Sequence, residues 1–329
     1  MIRFLLRRAL WFVLTVWLVV TLSFVLMRAV RGGPFSSERA LSPAIEARLA
    51  QRYHLDWPLW KQYLQYVGPL DWSAEGTGFL GGDGTHPFGG LLTGDLGPSF
   101  RYRDFGVNDI LAQSLPISAM LGALALLWAL GLGLPAGVFS AVRRGSALDL
   151  GVRLAATLGI ALPNFVIAGL LLVVFVFWLG VLPPAGWGSL RHLVLPSFVL
   201  GLPFAAYIAR LVRAGLLEVL ASDYVRTARA KGLAPRTVLL RHALPAGILP
   251  LVSYLGPATA GILTGSLVVE KIFAIPGAGS HFVNSALNRD YTLAMGVTLV
   301  YTVLVYALNL LVDLVYTLLD PRIRLEEGA

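Results

Sequence analysis

The sequence predicts an all-α integral membrane protein of six transmembrane helices, with an extracytoplasmic insert between helices 1 and 2. Three observations carry this. Hydrophobic residues make up 57% of the 329, against about 45–50% in an average soluble domain. Charged residues are 13% and mean hydropathy is +0.73. A soluble chain of this length needs far more charge for its surface, which argues against a soluble enzyme and against disorder. Apolar runs also recur at the length of about 20 residues that a bilayer demands. There is no cysteine, which removes disulfides, zinc ribbons and thiol chemistry together. Net charge is +8, with only three lysines, Lys61, Lys231 and Lys271. Such charge suits nucleic acid or the negative inner face of a membrane, and the apolar content selects the membrane.

The first span is Ala9 to Met27, behind Arg3, Arg7 and Arg8. A signal peptide also opens on a basic patch, but this run is too long for one. Met27-Arg28-Ala29-Val30-Arg31 offers no small-residue cleavage site. Residues 1–30 therefore read as a cytoplasmic start and a retained anchor. Further runs cover Ile117 to Ala141, Leu154 to Leu182 with an interruption at Pro163, Leu193 to Val212, Ala243 to Val269, and Leu293 to Val315. Arginine near the span ends sets the orientation. With the N-terminus inside, the inner segments hold Arg143, Arg144, Arg213, Arg226, Arg229, Lys231, Arg236, Arg241, Arg322 and Arg324. The short outer loops hold only Arg191, Lys271 and Arg289. Both termini are expected inside.

Residues 31–115 form the outer insert. Ile45, Leu49 and Tyr53 share one face of a helix expected over Ser42 to Tyr53. Asp56-Trp57-Pro58 marks a turn, and Trp60, Tyr63, Leu64 and Val67 give a second short amphipathic helix. The Gly-rich stretch at about 72–92 reads as a loop. Residues 116–329 form the remaining five-span core.

The most informative stretch is Glu218 to Pro250, on the inner side. Ser222 suits an N-cap, and Asp223 sits in the first turn, where negative charge is favoured. Tyr224 to Lys231 reads as a short helix with Arg229 and Lys231 in its last turn. Gly232 is its C-terminal stop, and Pro235 opens the next helix. This is either an ordinary basic loop or a docking helix for a partner's cleft. In the docking reading, small side chains at Ala228 and Ala230 allow close approach.

The spacing Arg226-Thr227-Ala228, three residues, Gly232, nine residues, His242-Ala243-Leu244-Pro245 resembles the "EAA" motif of bacterial ABC-importer permeases. The chain keeps Ala228, Gly232, Leu244 and Pro245 of that motif and departs at Arg226, Thr227 and His242. Those departures, within Tyr224 to Leu233 and Leu239 to Leu244, resemble the peptide-transporting branch. So do Met1 to Arg8, Gly94-Asp95-Leu96-Gly97-Pro98-Ser99, Ser114-Leu115-Pro116, Val268 to Gly279, and Asn288-Arg289-Asp290-Tyr291. Only about 72–92 finds no match.

The resemblance implies a type I importer permease fold in a bacterial inner membrane. It implies that 222–233 is a coupling helix seated on an ATPase through Asp223, Tyr224, Arg226, Thr227, Ala228, Arg229, Lys231 and Gly232. It also implies a second homologous permease, two ATP-binding subunits and an extracytoplasmic substrate-binding protein. The cargo is di- or oligopeptide, with nickel chelates, glutathione or oligosaccharides carried by relatives of that branch.

No lysine follows a glycine as a phosphate-cradling loop requires, so any ATP used is hydrolysed by a separate subunit; the resemblance implies ATP and Mg on partner subunits and no cofactor on this chain. No metal-ligand spacing or catalytic motif is present; His54, His86, His192, His242 and His281 are scattered. An ion-coupled carrier, the competing reading, needs mid-membrane carboxylates. Asp313, Arg153, Arg210 and Glu270 all lie near span ends instead. Asn164, behind the Pro163 break, with Ser253, Thr259, Thr264 and Asn309 are candidates to line a path; helix–helix hydrogen bonding is the alternative. Glu270, Phe273, Pro276, Gly277 and Gly279 are expected to shape the outer mouth, as a loop dipping back or an ordinary turn.

Overall fold

The computed structural model describes residues 2–29, 34, 43–68, 90–102 and 105–319. Most of the Gly-rich stretch lies outside them. Among the described residues the chain is helical, with no strand beyond one isolated bridge between Pro98 and Gly106. Five helices are long and apolar enough to cross a membrane: α1 (Ile2–Ala29), α4 (Val107–Val142), α7 (Leu190–Leu220), α11 (Leu249–Ile272) and α13 (Tyr291–Leu319). A sixth span is reached if α5 (Ala147–Ala161) and α6 (Asn164–Leu172) count as one. They meet at 108°, where Leu162 and the N-cap Pro163 are extended. Proline disfavours helical geometry in the residue before it, so the break falls where Pro163 predicts it. The span itself begins at Ala147, capped by Ser146, earlier than hydropathy alone suggests. A π-helical turn over Val173–Trp178 follows α6.

The chain divides into two compact units. One comprises 1–116 and 277–303. In it α2 (Pro43–Arg52) and α3 (Leu59–Val67) form the helices expected of the insert. The face that α3 buries differs from the expected one. Gln62, Gln65 and Tyr66 are inside, while Trp60 is 59% exposed. For Gln62 the reason is hydrogen bonding: it donates to the carbonyls of Leu55 and Trp57 and accepts from Arg28 Nε at 2.9 Å. A buried amide so satisfied costs little. Val20, Phe24 and Met295 pack around Tyr66. Segment 277–303 joins this unit through Asp290, which is buried. Asp290 accepts from Ser99 Oγ, from the Phe100 amide at 3.1 Å and from the Leu293 amide at 3.3 Å, capping α13. The motifs Gly94–Ser99 and Asn288–Tyr291 are thus two halves of one clamp.

The second unit comprises 117–276 and the chain from Leu304. Its helices approach at glycines. A Cβ on Gly133 of α4 would lie 2.5 Å from the Ala205 oxygen of α7, and one on Gly137 2.7 Å from the Ala209 oxygen. Gly201 faces the Ala125 backbone, and Gly215 faces Gly247 at the end of α10 (Leu244–Gly247). Small residues four apart let membrane helices touch backbone to backbone, where dispersion rather than hydrophobicity holds them.

Candidate docking helix and membrane path

Helix α8 (Asp223–Ala230) follows α7 directly. Ser222 takes the N-cap position with extended backbone, but its hydroxyl donates back to the Val219 carbonyl at 2.6 Å instead of capping an amide. Asp223 pairs with Arg226 at 3.2 Å, both exposed, and Thr227 Oγ1 donates to the Asp223 carbonyl at 2.9 Å. At the other end the Gly232 amide donates to Arg229 O and the Leu233 amide to Ala228 O. That pair of bonds is a Schellman stop, with Gly232 left-handed at φ +76°. A Cβ there would meet nothing within 4 Å. Glycine is therefore required by the backbone, and the space beyond it is open.

The helix has two unlike faces. Val225 and Ala228 are buried in the core of the second unit beside Val238 and Ala243. Tyr224 (48% exposed), Arg226, Thr227, Arg229, Ala230, Lys231 and Gly232 are exposed. The role expected for Ala228 is corrected: its small side chain brings α8 against its own chain, leaving Ala230 for outward approach. The next segment is α9 (Pro235–Thr237), with proline in its first turn, and a π-helical turn over Val238–Ala243 on which α8 packs.

Asn164 is half-buried in the first turn of α6, and Asn309 is half-buried on α13. Ser253 Oγ and Thr259 Oγ1 donate to the carbonyls four residues back, Leu249 and Leu255, so they serve their own helix instead of bridging two. The Thr264 side chain lies outside the described residues. The Tyr207 and Tyr254 rings meet between α7 and α11 with centroids 4.4 Å apart and planes tilted by 37°.

The outer-mouth residues are mostly internal. Glu270 is fully buried in the last turn of α11 and accepts from Ser118 Oγ at 2.7 Å. The Phe273 ring is buried and its carbonyl accepts from the Gly186 amide at 2.8 Å. Ala274 is left-handed at φ +50°, turning the chain so that the Ile275 amide reaches Glu270 O. Pro276 is exposed, Gly277 caps α12 (Ala278–Asn288), and Gly279 is buried in its first turn. A capped helix stands where a dipping loop or an ordinary turn was expected.

Sequence reasoning missed the buried carboxylate Asp149. It accepts from Arg213 Nε at 2.7 Å and Nη2 at 3.0 Å, from Ser140 Oγ and from the Gly145 amide, fastening the α4–α5 turn to α7. Nothing local in the sequence marks this pair.

Residues 133–325 match the family described as binding-protein-dependent transport system inner membrane component. The chain belongs to this family. Over 326 residues it is 43% identical to the oligopeptide transport system permease protein OppB of Escherichia coli K12, covering 98% of this chain and 100% of that protein. It is 41% identical to the dipeptide transport system permease protein DppB of Bacillus subtilis, covering 99% of each. Among solved structures, an inward-facing MetNI methionine ABC transporter matches 64% of this chain and 96% of that chain, with a TM-score of 0.53 at 18% identity. That likeness shows the fold, a type I ABC importer permease. The family's inner-membrane component is a multi-pass permease and a transport component, and α8 lies within the matched residues.

Proposed function

We propose that this permease forms half of the translocation pathway of an ATP-driven importer of di- and oligopeptides, with α8 as the seat of an ATPase subunit. The observation that carries the docking role is the split of α8. One face is locked into the core, and the other presents Tyr224, Arg226, Arg229 and Lys231 around an open Gly232. A helix held this way transmits displacement to α7. The peptide cargo rests on full-length similarity to permeases named for oligopeptides and dipeptides. A second permease, two ATP-binding subunits carrying ATP and Mg, and an extracytoplasmic binding protein complete the assembly. This chain does no covalent chemistry. Both termini lie in the cytoplasm, 31–115 lies outside, and binding of ATP to the partners shifts the inward- and outward-open populations.

Gly232→Trp tests the seat against Gly232→Asn, since asparagine tolerates the left-handed backbone. The tagged wild type is expected to bring down an ATPase and a second permease from mild detergent. Gly232→Asn retains both; Gly232→Trp retains the permease, loses the ATPase and stops peptide uptake. Normal uptake by Gly232→Trp would falsify the docking role.

A further inference from the structure

We propose that the cleft between α5 and α7 binds the phosphate headgroup of an anionic phospholipid, in the leaflet on the α8 side of the membrane. A cavity of about 770 Å³ opens there, lined among others by Arg153, Arg210 and Arg213 with Leu150, Leu154 and Tyr207. Two pairs fix its place. Asp149 meets Arg213 at one end of the α5–α7 contact, and Gly159 approaches Ala206 at the other. The helices run antiparallel, and the cavity occupies the half nearest α8. From Arg213 to Tyr207 along α7 is about 9 Å at the helical rise. That depth matches the step from headgroup to acyl chain.

The charge is unbalanced. Asp149 is the one carboxylate within 4.0 Å of any of the three guanidinium groups among the described residues. Arg213 engages it in a two-pronged bond, and Arg153 stands 3.7 Å away with half its side chain exposed. Arg210 is exposed and has no such partner. The cleft therefore offers positive charge to an anion, as basic pockets between membrane helices do for lipid headgroups. The walls then choose the kind of anion. Leu150 and Leu154 in the wall and Leu158 beyond it are 50%, 57% and 59% exposed in one stripe along α5, running from the arginines toward the far end of the helix. Water along a solute path would leave that leucine stripe wet, whereas an acyl chain beneath a phosphate covers it. A peptide carboxylate would satisfy the arginines and leave the stripe bare. Only the choice of leaflet rests on the proposed orientation.

The test uses the assembled transporter, washed in detergent, with native mass spectrometry and thermal melting as readouts. The probes are phosphatidylglycerol, phosphatidylcholine, inorganic phosphate and a short acidic peptide. Wild type is expected to retain phosphatidylglycerol and to melt higher with it, but not with the other three. Arg153→Gln with Arg210→Gln weakens retention by about 30-fold, at the usual contribution of a basic residue beside an anionic surface. Arg153→Lys with Arg210→Lys restores most of it, and this pair carries the test if the glutamine variant fails to assemble. Equal retention by wild type and the glutamine variant overturns the site. So does an equal response to phosphatidylcholine. A shift produced by phosphate alone marks a free-anion site, and one produced by the peptide marks a solute path; either result refutes the lipid.

Discussion

Gly133→Ala adds one methyl group where α4 crosses α7. The new carbon would stand 2.5 Å from the Ala205 oxygen and 2.9 Å from Cβ and Cγ2 of Ile208, which is fully buried. A carbon approaches a carbonyl oxygen to about 3.3 Å at its closest favourable contact, so the helices must part by roughly 0.8 Å. Neither obstacle is the free end of a flexible side chain. Overpacking of this kind costs about 1–3 kcal/mol. Alanine also removes glycine's helix penalty of about 1 kcal/mol, which hides part of the clash. Gly131→Ala isolates that gain: it lies on the same helix, and its Cβ would meet nothing within 4 Å. Thermal melting of the two variants in detergent, at two scan rates to check that the midpoints are at equilibrium, reads the difference. Gly131→Ala is expected at or above wild type, and Gly133→Ala roughly 2–12 °C below Gly131→Ala. Equal melting points would refute the claim that α4 and α7 touch backbone to backbone.

Asp290→Ala leaves the buried donors Ser99 Oγ and the Phe100 amide without their acceptor, at about 1–3 kcal/mol each; limited proteolysis should cut within 94–106 faster than in wild type, and unchanged protection would dismiss the clamp. Burial pushes the His281 imidazole below its usual value, and its Nδ1 is enclosed without a hydrogen bond. The folded protein thus favours the neutral ring, so its contribution is full above the unfolded value of about 6.5 and is lost as pH falls through the lower folded value. Hydrogen exchange across α12 should accelerate on going from neutral to acidic pH in wild type and much less in His281→Gln; the same acceleration in both would assign it elsewhere.

What the sequence revealed depended on range. The spans were legible because a bilayer imposes long apolar runs, and the Pro163 break and Gly232 stop because proline and glycine act on their own backbone. The start of α4 at Val107 was not, since the apolar run begins only at Ile117. In the structure Ser114 Oγ donates to Ile110 O and the helix continues through Pro116. The inward turn of Ala228 was hidden because an alanine carries no polarity to betray its face. The polar residues of α11 fitted either a path lining or helix–helix bonding, and two of them bond their own backbone instead of a neighbouring helix. Asp149 with Arg213 and Asp290 with Ser99 pair across long stretches of chain, where no window reaches. The close approach at Gly133 and Gly137 had a visible signal, two glycines four apart, whose meaning depended on the facing helix.

The Asp290 clamp also sets a schedule for biosynthesis. Ser99 and Asp290 are 191 residues apart. At about 5–20 residues per second, the ribosome needs roughly 10–40 s between making one and the other. For that interval the turn after Gly94 has no acceptor for its amide and hydroxyl, and the head of the last span has no cap. A segment made early therefore matures among the last, and a nascent chain stalled before the final helix would expose a segment that quality-control proteases can recognise as unfinished.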